Sequence, residues 1–135
     1  MRSLIVDDDA VCRKLLVAAL ATLGPLQEAP SGRAAVEAVH RALLADAPYD
    51  LITLDVMMPD MDGQSALVAI RSLEGVKGFR EGTGAVILMT SAVGDGENVL
   101  SAFREQCNGC LTKPIDLERL YSVLSEHGIY PADAG

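Results

Sequence analysis

The chain has 135 residues, enough for one domain with a sizeable core and no room for a second. Half the residues are hydrophobic, but aromatics make up only 4% and Trp is absent, so the core must be built from Val, Ile, Leu, Ala and Met. Eleven basic against nineteen acidic residues give a net charge of −8, which opposes the phosphate backbone of nucleic acid and anionic lipid and argues against binding to either. Three cysteines are an odd count in a chain that needs no staples, so a reducing cytosol is expected. The apolar run before the first acid, Ser3 to Val6, is too short for a signal peptide or a membrane span.

Ser3 to Val6, Leu51 to Leu54 and Ala85 to Met89 are short apolar runs of the kind that form parallel strands covered on both faces. Two fainter strands are expected at Leu26 to Ala29, after Gly24-Pro25, and at Asn108 to Leu111, before Lys113-Pro114. Between them the period becomes helical. Val11, Leu15, Leu16, Ala19, Leu20 and Leu23 make a wide stripe closed by Gly24 and Pro25. Ser31 is read as the N-cap of a second helix, with Ala35, Val39, Ala42 and Leu43 inward and Glu37, His40 and Arg41 toward water. Further helices are expected from Gly63 to Glu74, from Gly96 to Gln106, and from the cap Asp116 through Leu117, Leu120, Tyr121 and Leu124. Gly75 to Gly84 reads as a surface loop.

Five strands alternating with five helices imply an α/β fold with a doubly wound parallel sheet, whose ligands sit beyond the carboxyl ends of the strands. Those ends are polar. The first strand runs into Asp7, Asp8 and Asp9, and the third into Asp55. Two carboxylates about 4 Å apart repel by about 4 kcal/mol at an effective dielectric of 20, so the cluster calls for a cation. For oxygen-only ligands Mg²⁺ suits, and it leaves positions for a phosphate oxygen. Thr90-Ser91 and Lys113-Pro114 add a hydroxyl and an ammonium to the same rim. A carboxylate nucleophile, a metal, a hydroxyl and a lysine together read as a phosphoryl site.

Four segments in order, Leu4 to Asp9, Leu54 to Gly63, Met89 to Ala92 and Leu111 to Ile115, resemble the receiver domain of two-component response regulators, and the resemblance spans nearly the whole chain. It implies the flavodoxin-like strand order 2-1-3-4-5, a receiver domain over 1–130 and a short tail over 131–135. It implies that Asp55 is the phosphoacceptor, that Asp8, Asp55 and the Met57 backbone carbonyl bind Mg²⁺ with Asp7 acting through water, and that Ser91 and Lys113 attend the phosphoryl group. It also implies a cis peptide before Pro114. The implied partners are a sensor histidine kinase and either a downstream effector protein or, in a phosphorelay, a histidine phosphotransfer domain.

The chain departs from that family at three places. Cys110 stands where the family usually carries the aromatic residue of its switch, so a signal is expected to travel through the loop after Ser91 and the helix beyond it. Met57 and Val93 occupy positions that commonly tune dephosphorylation, and neither can orient a water, so a long-lived aspartyl phosphate is expected. The absence of a second acid at Met57 also argues against a Mg²⁺-dependent phosphohydrolase.

Plainer readings stand beside these. Asp9 is read as a helix cap, and Asp60 to Gly63 as a turn, since an EF-hand register would need carboxylates where Met58 and Ala69 stand. Cys107-Asn108-Gly109-Cys110 has the spacing of a redox or zinc half-site without a nearby second pair, and Cys107 as a small core residue competes with an oxidant-sensing pair. His40 and His127 read as solvated helix positions, and Cys12 as an ordinary helix residue. Val99, Leu100, Phe103, Arg104 and Tyr121 are candidates for a partner surface, and a docking or redox module indifferent to phosphorylation is the reading from another class.

Overall fold

The computed structural model describes residues 1–58, 61–80, 83–92 and 106–130. Five strands form one parallel sheet: β1 (Ser3–Val6), β2 (Leu26–Ala29), β3 (Leu51–Asp55), β4 (Val86–Ser91) and β5 (Gly109–Thr112), in the order β2-β1-β3-β4-β5. Four helices are described: α1 (Ala10–Leu20), α2 (Gly32–Leu44), α3 (Gly63–Lys77) and α4 (Leu117–Glu126). The expected helix from Gly96 to Gln106 lies outside the described residues except for Gln106, which sits in a turn. The tail over 131–135 also lies outside them.

β1 and β3 are buried throughout, and β4 from Ile87 onward, because both faces are covered, and alternate side chains serve opposite layers. Leu4, Val6, Ile52, Leu54, Ile87 and Met89 pack with α2 and α3, whereas Ile5, Leu88 and Leu111 pack with α1 and α4. Each fully buried Leu or Ile contributes about 2 kcal/mol by leaving water, so these two layers supply most of the driving force.

The caps are local. Asp9 accepts from the Val11 N–H at 3.0 Å, Ser31 from the Ala34 N–H at 3.1 Å, and Asp116 from the Glu118 N–H at 3.0 Å. Each satisfies a helix donor that has no partner within the helix. Asp62 caps α3 through the Ser65 N–H at 2.8 Å. After α1 the chain tightens into a 3₁₀ turn (Ala21–Leu23) and reverses at Gly24, whose φ of 138° and contact with the Met1 backbone exclude a side chain.

Several expectations need correction. β4 continues two residues past Met89, so Thr90 and Ser91 belong to the strand. α3 runs to Lys77, since Gly75 costs a helix only about 1 kcal/mol and the stop falls instead at Gly78, whose left-handed φ of 109° closes the helix onto the Glu74 carbonyl. On α1, Leu16, Ala19 and Leu20 are buried but Val11 is 76% exposed and Leu15 is also exposed. The sequence stripe is wider than the arc that meets the sheet. Tyr121 is not a free surface residue: it packs into the α1/α4 layer, and its hydroxyl donates to the Ala19 carbonyl at 3.2 Å. Val99, Leu100, Phe103 and Arg104 lie outside the described residues. His127 caps the end of α4 half-buried, with Nε2 3.1 Å from the Asn108 carbonyl oxygen, while His40 is exposed.

Candidate active site

Parallel pairing places all the polar strand ends on one rim. β1 ends at Val6, opposite Leu54, so Asp7 and Asp55 continue their strands side by side. Asp55 is opposite Thr90, and Ser91 is opposite Thr112, which brings Lys113 to the same edge. The end of β3 is also tied to its neighbours. Val56 N–H donates to the Thr90 carbonyl at 2.9 Å, and Gly63 N–H donates to the Val56 carbonyl at 2.8 Å. The start of α3 crosses so close to β3 that a Cβ at Gly63 would fall on the Asp55 carbonyl oxygen.

Three carboxylates meet here. Oxygens of Asp7, Asp8 and Asp55 all lie within 4.8 Å of one another. Asp7 is fully buried and Asp55 is 2% exposed, while Asp8 is open to solvent. Lys113 Nζ stands 3.0 Å from Asp7 Oδ2 and 3.2 Å from Asp55 Oδ2. One ammonium against three acids leaves the site electronegative. Burial, reinforced by the charge of Asp7, pushes the Asp55 carboxyl up to about 7, while the Lys113 charge pulls it down. The two carboxylates outweigh burial at Lys113 and hold its ammonium above the ordinary lysine range.

The donor set is oxygen-only, compact and open on the Asp8 side. It fits a hard divalent cation such as Mg²⁺, which keeps part of its water shell and would relieve the repulsion among the acids.

Of the remaining expected residues, Ser91 is buried at the end of β4, and its carbonyl accepts from the Lys113 N–H at 2.6 Å. The Met57 N–H reaches Asp55 Oδ1 at 3.4 Å, and the residue is 57% exposed. The Lys113-Pro114 peptide is cis. Val93 lies outside the described residues.

Other residues join the site unannounced by sequence. Asp7 Oδ1 accepts from the Asp9 N–H at 2.9 Å, and Arg13 Nη1 donates to the Asp7 carbonyl at 2.8 Å. Cys12 lies beside Asp7, and burial together with that carboxylate pushes its thiol up to about 11. Their only sequence signal is position, in the first turn of a helix that starts right after the acidic run.

A buried aspartate at a strand end, flanked by acids and a lysine on a doubly wound sheet, defines a protein of the phosphoryl-accepting class. Residues 3–125 match the response regulator receiver domain family, and the chain belongs to that family of phosphoacceptor signalling modules. It is 33% identical over 124 residues to the two-component response regulator ARR22 of Arabidopsis thaliana, covering 90% of this chain and 80% of that protein. It is 32% identical over 127 residues to the chemotaxis protein CheY of Bacillus subtilis, covering 93% of this chain and 95% of that one. Among solved structures, the receiver domain of the histidine kinase CKI1 from Arabidopsis thaliana, complexed with Mg²⁺ and BeF₃⁻, superposes with a TM-score of 0.80 at 27% identity, covering 93% of this chain and 87% of that one. Among the described residues, no helix is long and apolar enough to cross a membrane.

Proposed function

We propose that this chain is a cytoplasmic response regulator whose receiver spans residues 1–130, with 131–135 a short tail, and that it takes a phosphoryl group onto Asp55 from a phosphohistidine of a sensor histidine kinase. The observation that carries this reading is the burial of Asp55 within 3.2 Å of Lys113 and beside Asp7 and Asp8. An Asp55 carboxylate oxygen bonds to phosphorus as the P–N bond breaks, and the imidazole nitrogen leaves with the electron pair and takes up a proton. Lys113 stands ready to neutralise the transferred oxygens, and Ser91 at the end of β4 offers a hydroxyl to the phosphoryl group. Asp8, Asp55 and the Met57 carbonyl would hold Mg²⁺, with Asp7 in support. Bound there, the ion supplies positive charge against the phosphoryl oxygens. The solved relative with Mg²⁺ and BeF₃⁻, an anion of phosphoryl shape, supports the same assignment.

The phosphorylated chain then signals by binding a downstream effector protein. A second reading, a phosphorelay carrier that passes the group to a histidine phosphotransfer domain, is favoured by the likeness to the receiver of a histidine kinase. Transfer from the phosphorylated chain to a histidine-containing domain would select the relay. Phosphorylation-dependent capture of a non-kinase target would select the effector role.

The first test is intact mass after incubation with acetyl phosphate, with and without Mg²⁺, on wild type and Asp55→Asn. One phosphoryl adduct that requires Mg²⁺ and disappears in the variant is expected. No adduct under any condition would overturn the assignment and leave a docking module indifferent to phosphorylation.

A further inference from the structure

At the end of β5 opposite Lys113, the segment Cys107-Asn108-Gly109-Cys110 enters the strand with the Cys110 side chain beside that of Cys107. Cys107 is 8% exposed in the core layer under α2 and α3, whereas Cys110 is exposed on the edge strand. The turn between them is fixed from outside. Arg71 on α3 donates from Nε to the Gln106 carbonyl at 2.8 Å and from Nη2 to Asn108 Oδ1 at 3.0 Å. Asn108 is also paired with Ile87 on β4, its N–H donating to the Ile87 carbonyl and its Oδ1 accepting from the Ile87 N–H, both at 2.8 Å.

This arrangement separates two uses of the same spacing. A zinc site needs further ligands beside the two sulfurs, and the described residues bring no third metal-ligating side chain to them; the acidic rim is their one such cluster. A dithiol needs only two sulfurs held in reach of each other, one of them accessible, and that is what the anchored turn provides.

We propose that Cys107 and Cys110 are a redox-active dithiol, which a low-molecular-weight disulfide of the glutathione type converts to an intramolecular disulfide. The Cys110 thiol, open to solvent, loses its proton and attacks one sulfur of the small disulfide. An S–S bond to Cys110 forms, and one small thiolate leaves with the electron pair of the broken bond. The Cys107 thiolate then attacks the Cys110 sulfur and expels the second small thiol. Two protein thiols are oxidised by two electrons, one small disulfide is reduced to two thiols, and the two protons released from the cysteines end on those thiols. The second step is favoured by the local chemistry. The neighbouring Cys110 thiol, with help from the Gly109 N–H and the Arg71 charge, works against burial to bring the Cys107 thiol down to about 7. Cys12, pushed up to about 11, is a poor competitor.

The test incubates the full chain with oxidised glutathione, blocks remaining thiols and reads intact mass and a non-reduced peptide map. Wild type is expected to lose two hydrogens, to carry no glutathione, and to link Cys107 to Cys110, with full reversal by a dithiol reductant. Cys107→Ser should instead stop at one glutathione adduct on Cys110, and Cys110→Ser should lose that adduct. Wild type that stops at a mixed disulfide, links either cysteine to Cys12 or to a second chain, or remains fully reduced would overturn the proposal. The wild-type arm decides this even where a variant folds poorly.

Discussion

The ammonium of Lys113 lies 3.2 Å from the Asp55 carboxylate, reaching across β4 from the far end of β5. Two residues 58 positions apart are thus the cation and the acid of one site. Removing the cation should affect transfer more than folding, because the charge matters most when negative charge gathers on the phosphoryl oxygens. Lys113→Ala is expected to slow labelling by acetyl phosphate roughly 100-fold, the usual cost of one lost electrostatic stabiliser. Pseudo-first-order labelling rates at saturating Mg²⁺ measure this, and a rate within twofold of wild type would refute it.

The pH dependence of stability comes from the Asp55 carboxyl, held near 7 by burial and by Asp7. An acid whose folded pKa lies above its unfolded value near 4 keeps its proton longer in the folded state. Its contribution is therefore full below about pH 4 and is lost as pH rises toward 7, at no more than about 1.4 kcal/mol per pH unit. Asp55→Asn should be more stable than wild type at pH 7.5 without metal, and the difference should shrink by pH 4.5. Mg²⁺ should raise the midpoint of wild type more than that of the variant. Urea titrations at the two pH values, with and without Mg²⁺, read all four quantities.

Met57, two residues after the acceptor, is exposed and offers no side-chain hydrogen bond to a water. Met57→Asn should speed decay of the aspartyl phosphate roughly tenfold, the equivalent of about 1.4 kcal/mol from water positioning. Loss of the phosphoryl adduct with time, followed by intact mass after removal of acetyl phosphate, gives the rates. An unchanged rate would show that Met57 does not limit attack by water.

Arg71 joins α3 to the Ala85 carbonyl at 2.9 Å, to Glu74 at 2.8 Å, and to the turn before β5. Glu74 is itself 7% exposed and accepts from the Ala85 N–H at 2.8 Å. Arg71→Ala leaves that carboxylate buried without its cation and should destabilise the fold by about 3 kcal/mol. Chemical denaturation at pH 7.5 checks the value, and Arg71→Ala combined with Glu74→Gln should recover part of the loss.

Much of this was legible along the chain because its signals are local. Continuous apolar runs mark strands covered on both faces, and Ser31, Asp9 and Asp116 cap helices through donors two or three residues away. Acids after β1 and β3 and a lysine after β5 could be assembled on one rim, since a parallel sheet puts all carboxyl ends together. Local signals failed where a distant partner set the outcome. Gly75 reads as a stop, yet α3 continues because Glu74 is tied to Ala85 and Arg71. The half-burial of Tyr121, both a stripe residue and a surface candidate in the sequence, is set by α1 packed beside it.

By itself, then, the sequence determined the parallel α/β architecture, the order of the described elements and the acids, hydroxyl and lysine that crown it, since these are set by periodicity and by the direction of the strands. Only the tertiary structure decided that Asp7 is fully buried and shares Lys113 with Asp55, that Arg13 holds the Asp7 carbonyl, and that Arg71 anchors the turn that carries Cys107 and Cys110. Those are relations between side chains from different elements, fixed by register and helix rotation, and no spacing along one segment encodes them.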